Sequence, residues 1–470
     1  MNITGSTLRQ IRQKIGLSQA RLAELSGVSQ HAISAFELEK LELPQETLKK
    51  LASALADKDK VDSLVSRQKR YVEHKFVAPA KLSNRIERAI RTSENSAYCK
   101  CLDVLGIMHA HPKDGALTAL SLFSGCGGFS LGFSAAGFKV KGFVELDKNL
   151  RSIYKKNFPD SLELGGDITK IDDDALKSFQ EKIGDIDVII GGPPCQGFSL
   201  SGKRDVNDPR NTLFKHYLRF VKVYKPKIAV LENVRLLTSM KNSKGEFIKE
   251  EICKEFKNHG YKINFFEVNA KNYGVPQHRE RVVFIAVRSD IGAIPSIPDV
   301  THGEVSDIFS TVLPCRTFAD ACSDLEYLES GDRSGDALHE AVKHPAHVLD
   351  WLWDVPEGHS AHDNLDPDKR PKSGYNTTYK RQVWLEPAST VQTTFGMISG
   401  CRNVHPVATR SLTIREAMRI QSFPDSYRFE GTLGAIRTGI GNAVPPLLAY
   451  YLAEHTKHLL GLDFVKIPSL

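Results

Sequence analysis

A thiol held on a stiff turn is a candidate nucleophile, and Cys195 is such a thiol. The apolar run at residues 186–190 reads as a buried strand. Gly191-Gly192-Pro193-Pro194 ends it, because two prolines continue neither a helix nor a strand. Ligands and chemistry gather at the carboxyl ends of strands in an open α/β sheet. Taken alone, one cysteine here is more often an inert buried thiol. Other strand ends carry polar groups too. Residues 117–123 read as a strand running into Ser124-Gly125-Cys126-Gly127-Gly128 and then a helix, a cradle in which small residues let a ligand approach a helix N-terminus. Ser130 stands where a dinucleotide fingerprint wants a third Gly or Ala, which disfavours NAD. The next strand, from Val140, delivers Glu145, a carboxylate suited to two ribose hydroxyls. A third ends at Gly166-Asp167-Ile168, where Asp167 can accept a hydrogen bond from an adenine amine. Glycines, Glu and Asp at consecutive strand ends describe a site for a nucleoside without a phosphate requirement.

Further along, the strand at 228–231 delivers Glu232-Asn233-Val234. Gln277-His278-Arg279-Glu280-Arg281 leads into a strand at 282–287, whose alternation turns Arg279 and Arg281 to one face. The polar stretch 199–211, with Gly202 and Pro209, reads as a hinged lid, followed by an apolar-faced helix beginning near Leu213. Alternating strands and helices predict an α/β fold with a mostly parallel, doubly wound, Rossmann-like sheet.

The N-terminal residues follow a different rule. Leu8, Ile11 and Ile15 recur at helical spacing up to Gly16, Ser18 is placed to cap a second helix, and Ser29 to cap a third over 30–38. Pro44 suits the first turn of a fourth. The run Leu17-Ser18-Gln19-Ala20-Arg21-Leu22-Ala23, with Val28-Ser29-Gln30 and Ile33-Ser34-Ala35-Phe36-Glu37, resembles the phage-repressor type of helix-turn-helix. The resemblance implies that Ser29, Gln30, His31 and Ser34 face the major groove; a helical bundle that only packs is the alternative. Residues 57–115 read as a basic helical linker, either touching phosphates or merely solvated.

Composition is that of a soluble globular protein of 470 residues, 41% hydrophobic and 25% charged. The first 116 residues hold 19 Lys and Arg against 13 Asp and Glu, six of the net +7 charges, which suits an anionic partner. No apolar run approaches the roughly 18 residues of a membrane span, and the start lacks a signal-peptide core. The eight cysteines are scattered with no metal-ligand or redox spacing, so no metal is expected and a reducing cytoplasm fits.

Phe123-Ser124-Gly125-Cys126-Gly127-Gly128, Gly192-Pro193-Pro194-Cys195-Gln196, Glu232-Asn233-Val234, Gln277-x-Arg279-x-Arg281 and Gly441-Asn442-Ala443-Val444-Pro445 occur in this order. Together with Thr413-x-Arg415-Glu416-x-x-Arg419-x-Gln421-x-Phe423-Pro424, they resemble the motifs of the DNA (cytosine-5) methyltransferases. The resemblance implies a catalytic domain at 116–289 and 386–470, a target-recognition lobe at 290–385, and a helix-turn-helix domain at 1–56. It implies Cys195 as nucleophile on C6 of a cytosine flipped from double-stranded DNA, with Glu232 at N3, Arg281 at O2 and Arg279 as its support. S-adenosylmethionine is the implied donor. Phe123, Ser124, Gly125 and Gly127 surround it, Glu145 meets the ribose, and Asp167 with Ile168 the adenine; Pro194, Leu213 and Asn442 complete the pocket. Leu146 replaces the aromatic residue that often follows the ribose acid. Tyr375, Lys380 and Arg381 are candidate DNA contacts, although an aromatic core with a polar surface would use such residues too. The expected biology is a restriction-modification system with a companion endonuclease, and an operator bound through the helix-turn-helix. An RNA cytosine-5 methyltransferase and a non-catalytic DNA-binding regulator are the rival readings.

Overall fold

Val188, Ile189 and Ile190 are consecutive and all inaccessible to solvent. Side chains alternate along a strand, so this requires a sheet covered on both faces. The computed structural model describes residues 4–14, 17, 19–56, 96–110, 117–194, 213–242, 244–304, 312–364, 366–400 and 402–463. The chain divides into a unit within residues 1–81 and another within 82–470.

In the larger unit the strands of the central sheet are β1 (Thr118–Leu122), β2 (Lys139–Val144), β3 (Leu162–Gly165), β4 (Val188–Gly191), β5 (Ile228–Val234), β6 (Tyr261–Asn269) and β7 (Glu280–Arg288). They pair in the order β3-β2-β1-β4-β5-β7-β6. β1 to β5 run parallel, and β7 is antiparallel to both its neighbours. This is the expected mostly parallel, doubly wound sheet, and its strand order reverses between β1 and β4, the switch point where such sheets bind ligands. Alternation divides the core: Val188, Ile190, Ile228, Val230, Val283 and Ile285 join one apolar cluster, while Ile189, Ala229, Leu231, Val282 and Phe284 join the other.

The smaller unit contains α1 (Gly5–Lys14), α2 (Gln19–Ser26), α3 (Gln30–Glu37) and α4 (Gln45–Ala56). Leu8, Leu17, Leu22, Val28, Ile33, Phe36 and Leu51 form its core. Ser29 caps α3, its hydroxyl accepting from the Ala32 N–H at 3.2 Å. Pro44 stands just ahead of α4 rather than inside its first turn, its carbonyl accepting from the Leu48 N–H. Gly16 and Ser18, expected as stop and cap, lie outside the described residues. Arg12 grips Glu37 through two hydrogen bonds of 2.7 and 2.8 Å, and Gln19 donates to the same carboxylate at 2.7 Å. Burial alone would raise the Glu37 carboxyl; these partners hold it below its usual value.

Elsewhere in the larger unit the helices are α5 (Ala97–Ala110), α6 (Gly128–Ala135), α7 (Lys148–Asn157), α8 (Asp173–Ile183), α9 (Leu213–Tyr224), α10 (Ile248–Asn258), α11 (Phe318–Cys322), α12 (Ala346–Trp353), α13 (Ile414–Ile420), α14 (Leu433–Asn442) and α15 (Pro446–Leu459). Helix α5 corrects the sequence reading. It falls in the expected linker, yet Tyr98, Cys99, Cys101, Leu102 and Leu105 are buried in the main core, and the Tyr98 hydroxyl donates to the Arg419 carbonyl at 2.6 Å. The basic residues Arg67 to Arg91 of that stretch lie outside the described residues.

The smaller lobe also differs from its expected span. Val348, Leu352, Val355 and Ala361 pack with Ile398 and Val404, beyond residue 385, whereas Phe318, Cys322 and Trp384 belong to the main core. Arg381, expected at DNA, is 2% exposed. Its guanidinium donates to the carbonyls of Leu352, His405, Val407 and Ala408 and to the Thr409 hydroxyl, at 2.7–3.1 Å. An arginine so enclosed is a structural hub, not a DNA contact. Arg381→Met should therefore lower stability by roughly 3–5 kcal/mol, since it strands several buried carbonyls. A thermal melt checks this; an unchanged melting temperature with weakened DNA binding would restore the original expectation.

Candidate active site

The ends of β1, β2, β4 and β5 open onto one pocket of about 530 Å³, within the range of small-molecule sites. Phe123 leaves β1 with φ 54°, a strained conformation for a non-glycine residue and one that clusters at functional sites. Gly127 follows at φ 99°, and a Cβ there would collide with the Tyr427 hydroxyl and the Phe158 ring. Only glycine fits. Tyr427 in turn donates to the Cys126 carbonyl at 2.5 Å, fixing the loop ahead of α6.

Glu145 leaves β2 half-buried, one carboxylate oxygen accepting from the Gly125 N–H at 2.7 Å and the other from the Asp147 N–H at 2.9 Å. Burial raises its pKa, against the lowering effect of those N–H groups. Asp167 accepts from the Thr169 hydroxyl at 2.7 Å and its N–H at 3.0 Å, which lower its pKa. Ile168, Pro194, Leu213 and Asn442 are in the same lining, as are Ser124 and the exposed Leu146. The Ser124 hydroxyl donates back to the Ser121 carbonyl at 3.0 Å, which makes it a brace for the loop.

Glu232 and the arginines line the same pocket. β5 pairs with β7 so that Val234 faces Arg281 and Glu232 faces Val283. The Arg281 Nε then meets a Glu232 oxygen at 2.8 Å, with Glu232 only 8% exposed. Arg279 is fully enclosed and forks to two carbonyls, Val391 at 3.2 Å and Gly441 at 3.0 Å. Burial pushes both guanidinium groups down; for Arg279 the Arg281 charge adds to this, while Glu232 opposes it at Arg281. Sequence reasoning missed the frame behind them. Gln277 donates to the Gln421 side chain at 2.6 Å and accepts from the Val391 N–H at 2.9 Å, and Gln421 donates to the Ile440 carbonyl at 2.7 Å. Glutamines inside two separate motifs were the available signal.

Cys195 and the expected lid at 199–211 lie outside the described residues. The turn before Cys195 is placed: Pro194 lines the pocket and the Asn233 amide donates to the Pro193 carbonyl at 2.7 Å. Ser29, Gln30 and His31 are exposed at the start of α3 and Ser34 is half-buried. Tyr375 is 80% exposed, and Lys380 is half-buried, its ammonium pKa lowered by burial and by Arg402.

Residues 117–458 match the model of the C-5 cytosine-specific DNA methylases, and residues 8–56 match a helix-turn-helix model. The chain belongs to the C-5 cytosine-specific DNA methylases. It is 35% identical over 377 residues to the type II methyltransferase M.DdeI of Desulfomicrobium norvegicum, covering 72% of this chain and 88% of that protein. It is 39% identical over 344 residues to M1.HphI of Haemophilus parahaemolyticus, another type II methyltransferase, covering 72% and 86%. A solved Escherichia coli prophage protein assigned as a DNA modification methyltransferase superposes with TM-score 0.57 at 27% identity, over 74% of this chain and all of that one. The chain is thus a DNA (cytosine-5) methyltransferase with an N-terminal helix-turn-helix, which sets aside the RNA-directed and non-catalytic readings. Among the described residues no helix is long and apolar enough to cross a membrane.

Arg279→Lys should cut methyl transfer about 10–100-fold and lower the melting temperature by a few degrees, because one ammonium cannot fork rigidly to two carbonyls. Steady-state kinetics beside a thermal melt reads both; full activity would show that the fork is dispensable.

Proposed function

We propose that this methyltransferase moves the methyl group of S-adenosylmethionine to C5 of a cytosine extruded from a specific duplex sequence, as the modification activity of a restriction-modification system. The observation that carries this reading is one continuous pocket, with nucleoside-type carboxylates at one end and the Glu232–Arg281 pair at the other. When bound, S-adenosylmethionine supplies an electrophilic methyl group. Phe123, Ser124, Gly125 and Gly127 would cradle it, Glu145 would accept from the ribose hydroxyls, and Asp167 with Ile168 would meet the adenine. Pro194, Leu213 and Asn442 close the walls. The fit is chemical: half-buried carboxylates between apolar surfaces suit an uncharged nucleoside and not a phosphate.

On the target side the Cys195 thiolate adds to C6. Electron density moves toward N3 and O2. Glu232 delivers a proton or hydrogen bond to N3, Arg281 holds O2, and Arg279 fixes the backbone around it. After C5 is methylated, water removes the C5 proton and the Cys195 thiolate leaves C6. C6 is unreachable inside a stacked duplex, so the cytosine must be flipped out. Tyr375 and Lys380 remain DNA contacts in this reading; Arg381 does not.

Transfer of radiolabelled methyl from S-adenosylmethionine to unmethylated genomic DNA should yield 5-methylcytosine, and Cys195→Ala should reduce it at least about 1000-fold. Label persisting in the variant would name a different nucleophile. Donor binding should weaken toward acid pH. The raised pKa of Glu145 means that it gains a proton, and loses a ribose acceptor, at a higher pH than an ordinary carboxylate. Glu145→Gln should bind S-adenosylmethionine about tenfold more weakly at neutral pH and lose this acid limb. An acid limb that survives in the variant would assign it to another group.

The N-terminal unit supports a second activity, binding an operator through Ser29, Gln30, His31 and Ser34 and so adjusting expression of the enzyme or its companion nuclease. A footprint at the gene's own promoter that disappears when residues 1–60 are deleted would support this. No promoter binding by the full chain would exclude it.

A further inference from the structure

Arg437 lies on α14, one turn before Gly441, so the two share a face of the helix about 5–6 Å apart. That face packs on the loop after Val391. A Cβ on Gly441 would meet the backbone of Gln392 and Thr393 at 2.4–2.7 Å, and a Cβ on Gly396 would meet the Arg437 guanidinium at 2.6–3.1 Å. Gly396 is not in the left-handed region, so the close approach of Arg437, not backbone conformation, demands glycine there. The loop is pinned from behind: Ser411 donates to the Gly396 carbonyl at 3.0 Å, and Asn403 donates to the Thr394 and Met397 carbonyls at 3.0 and 3.1 Å. Met397 beside it is 56% exposed.

Among the described residues nothing answers the Arg437 charge. Its Nε is buried without a hydrogen-bond partner, and burial lowers its pKa with no carboxylate opposing the shift. The two arginines that line the pocket are held: Arg279 by the Val391 and Gly441 carbonyls, Arg281 by Glu232. A half-buried guanidinium packed against Gly396 and left without an anion is placed to take one that arrives. Thr438, the next residue, and Gly441, one turn on, both line the pocket while Arg437 does not, which puts Arg437 beside the pocket and not in it.

We propose that Arg437 is a phosphate clamp, holding the backbone of the target strand next to the extruded cytosine. The contact positions the strand and carries no base specificity. This inference rests on the reading of Glu232 and Arg281 as the base pocket.

The test is the salt dependence of methylation by the full chain, on a duplex carrying the sequence that the wild type methylates, from 50 to 200 mM KCl. Arg437→Met should raise the DNA KM about tenfold with kcat changed less than about twofold. It should also make the plot of log kcat/KM against log salt shallower by about 0.9, the loss of one phosphate contact. Arg437→Lys should restore the slope, and binding of S-adenosylhomocysteine should match wild type in both variants. An Arg437→Met enzyme that keeps the full slope overturns the clamp, whatever its KM. So does a slope that Lys fails to restore. If Glu232→Gln and Arg281→Met leave kcat intact, the base-pocket reading fails instead, and the clamp's placement with it.

Discussion

The contact on which this site depends is the ion pair between Arg281 and Glu232, 2.8 Å apart beneath the protein surface. Charges are expensive to remove from water, and a buried pair persists only where its geometry is well supported. The support here is the antiparallel register of β7 on β5, which sets Val234 opposite Arg281. A slip of one residue would turn Arg281 to the opposite face and leave Glu232 without its partner. Arg279 then ties that strand to Val391 and Gly441, segments more than 100 residues away, and Gln277 and Gln421 tie the same segments together again. The motifs that look independent along the chain are parts of one hydrogen-bonded frame.

Local chemistry was legible in the sequence. Apolar runs ending in glycine, proline or acid gave the strands and their ends, and the order of the motifs gave the family. Ser29 announced its cap because capping depends on residues three positions apart. What the sequence hid was set by distant partners. The basic run before residue 92 suggested a linker, yet the apolar positions of α5 complete the main core against α6. Arg381 looked like a DNA contact because an arginine beside tyrosines and lysines often is one. Its burial depends on the carbonyls of residues 405–408, which turn back over it. Arg437 gave no signal at all, since only the closeness of Gly396 distinguishes it from a solvated helix residue.

The two apolar clusters on either side of the sheet explain why the pocket is rigid where it matters. β4 and β5 are buried on both faces along most of their length, so Pro194 and Glu232 are delivered from the least mobile part of the fold. Glu416 is a comparable anchor on the other side of the frame. It is fully enclosed, caps α13 together with Thr413, and is held ionised by Arg410. The small lobe, with its own core around Leu352 and Val404, is joined to this anchor through Arg381 and the residues that follow His405.

In the proposed reaction Cys195 attacks C6 while Glu232 and Arg281 receive the displaced electron density. The most direct measurement uses a duplex in which the target cytosine carries fluorine at C5, so that no C5 proton can be lost and the thiolate cannot leave. With S-adenosylmethionine present, the wild-type protein should form a covalent complex that survives denaturing electrophoresis. Glu232→Gln should form it much more slowly and Cys195→Ser not at all. A covalent complex with Cys195→Ser, or none with an active wild-type enzyme, would contradict the account.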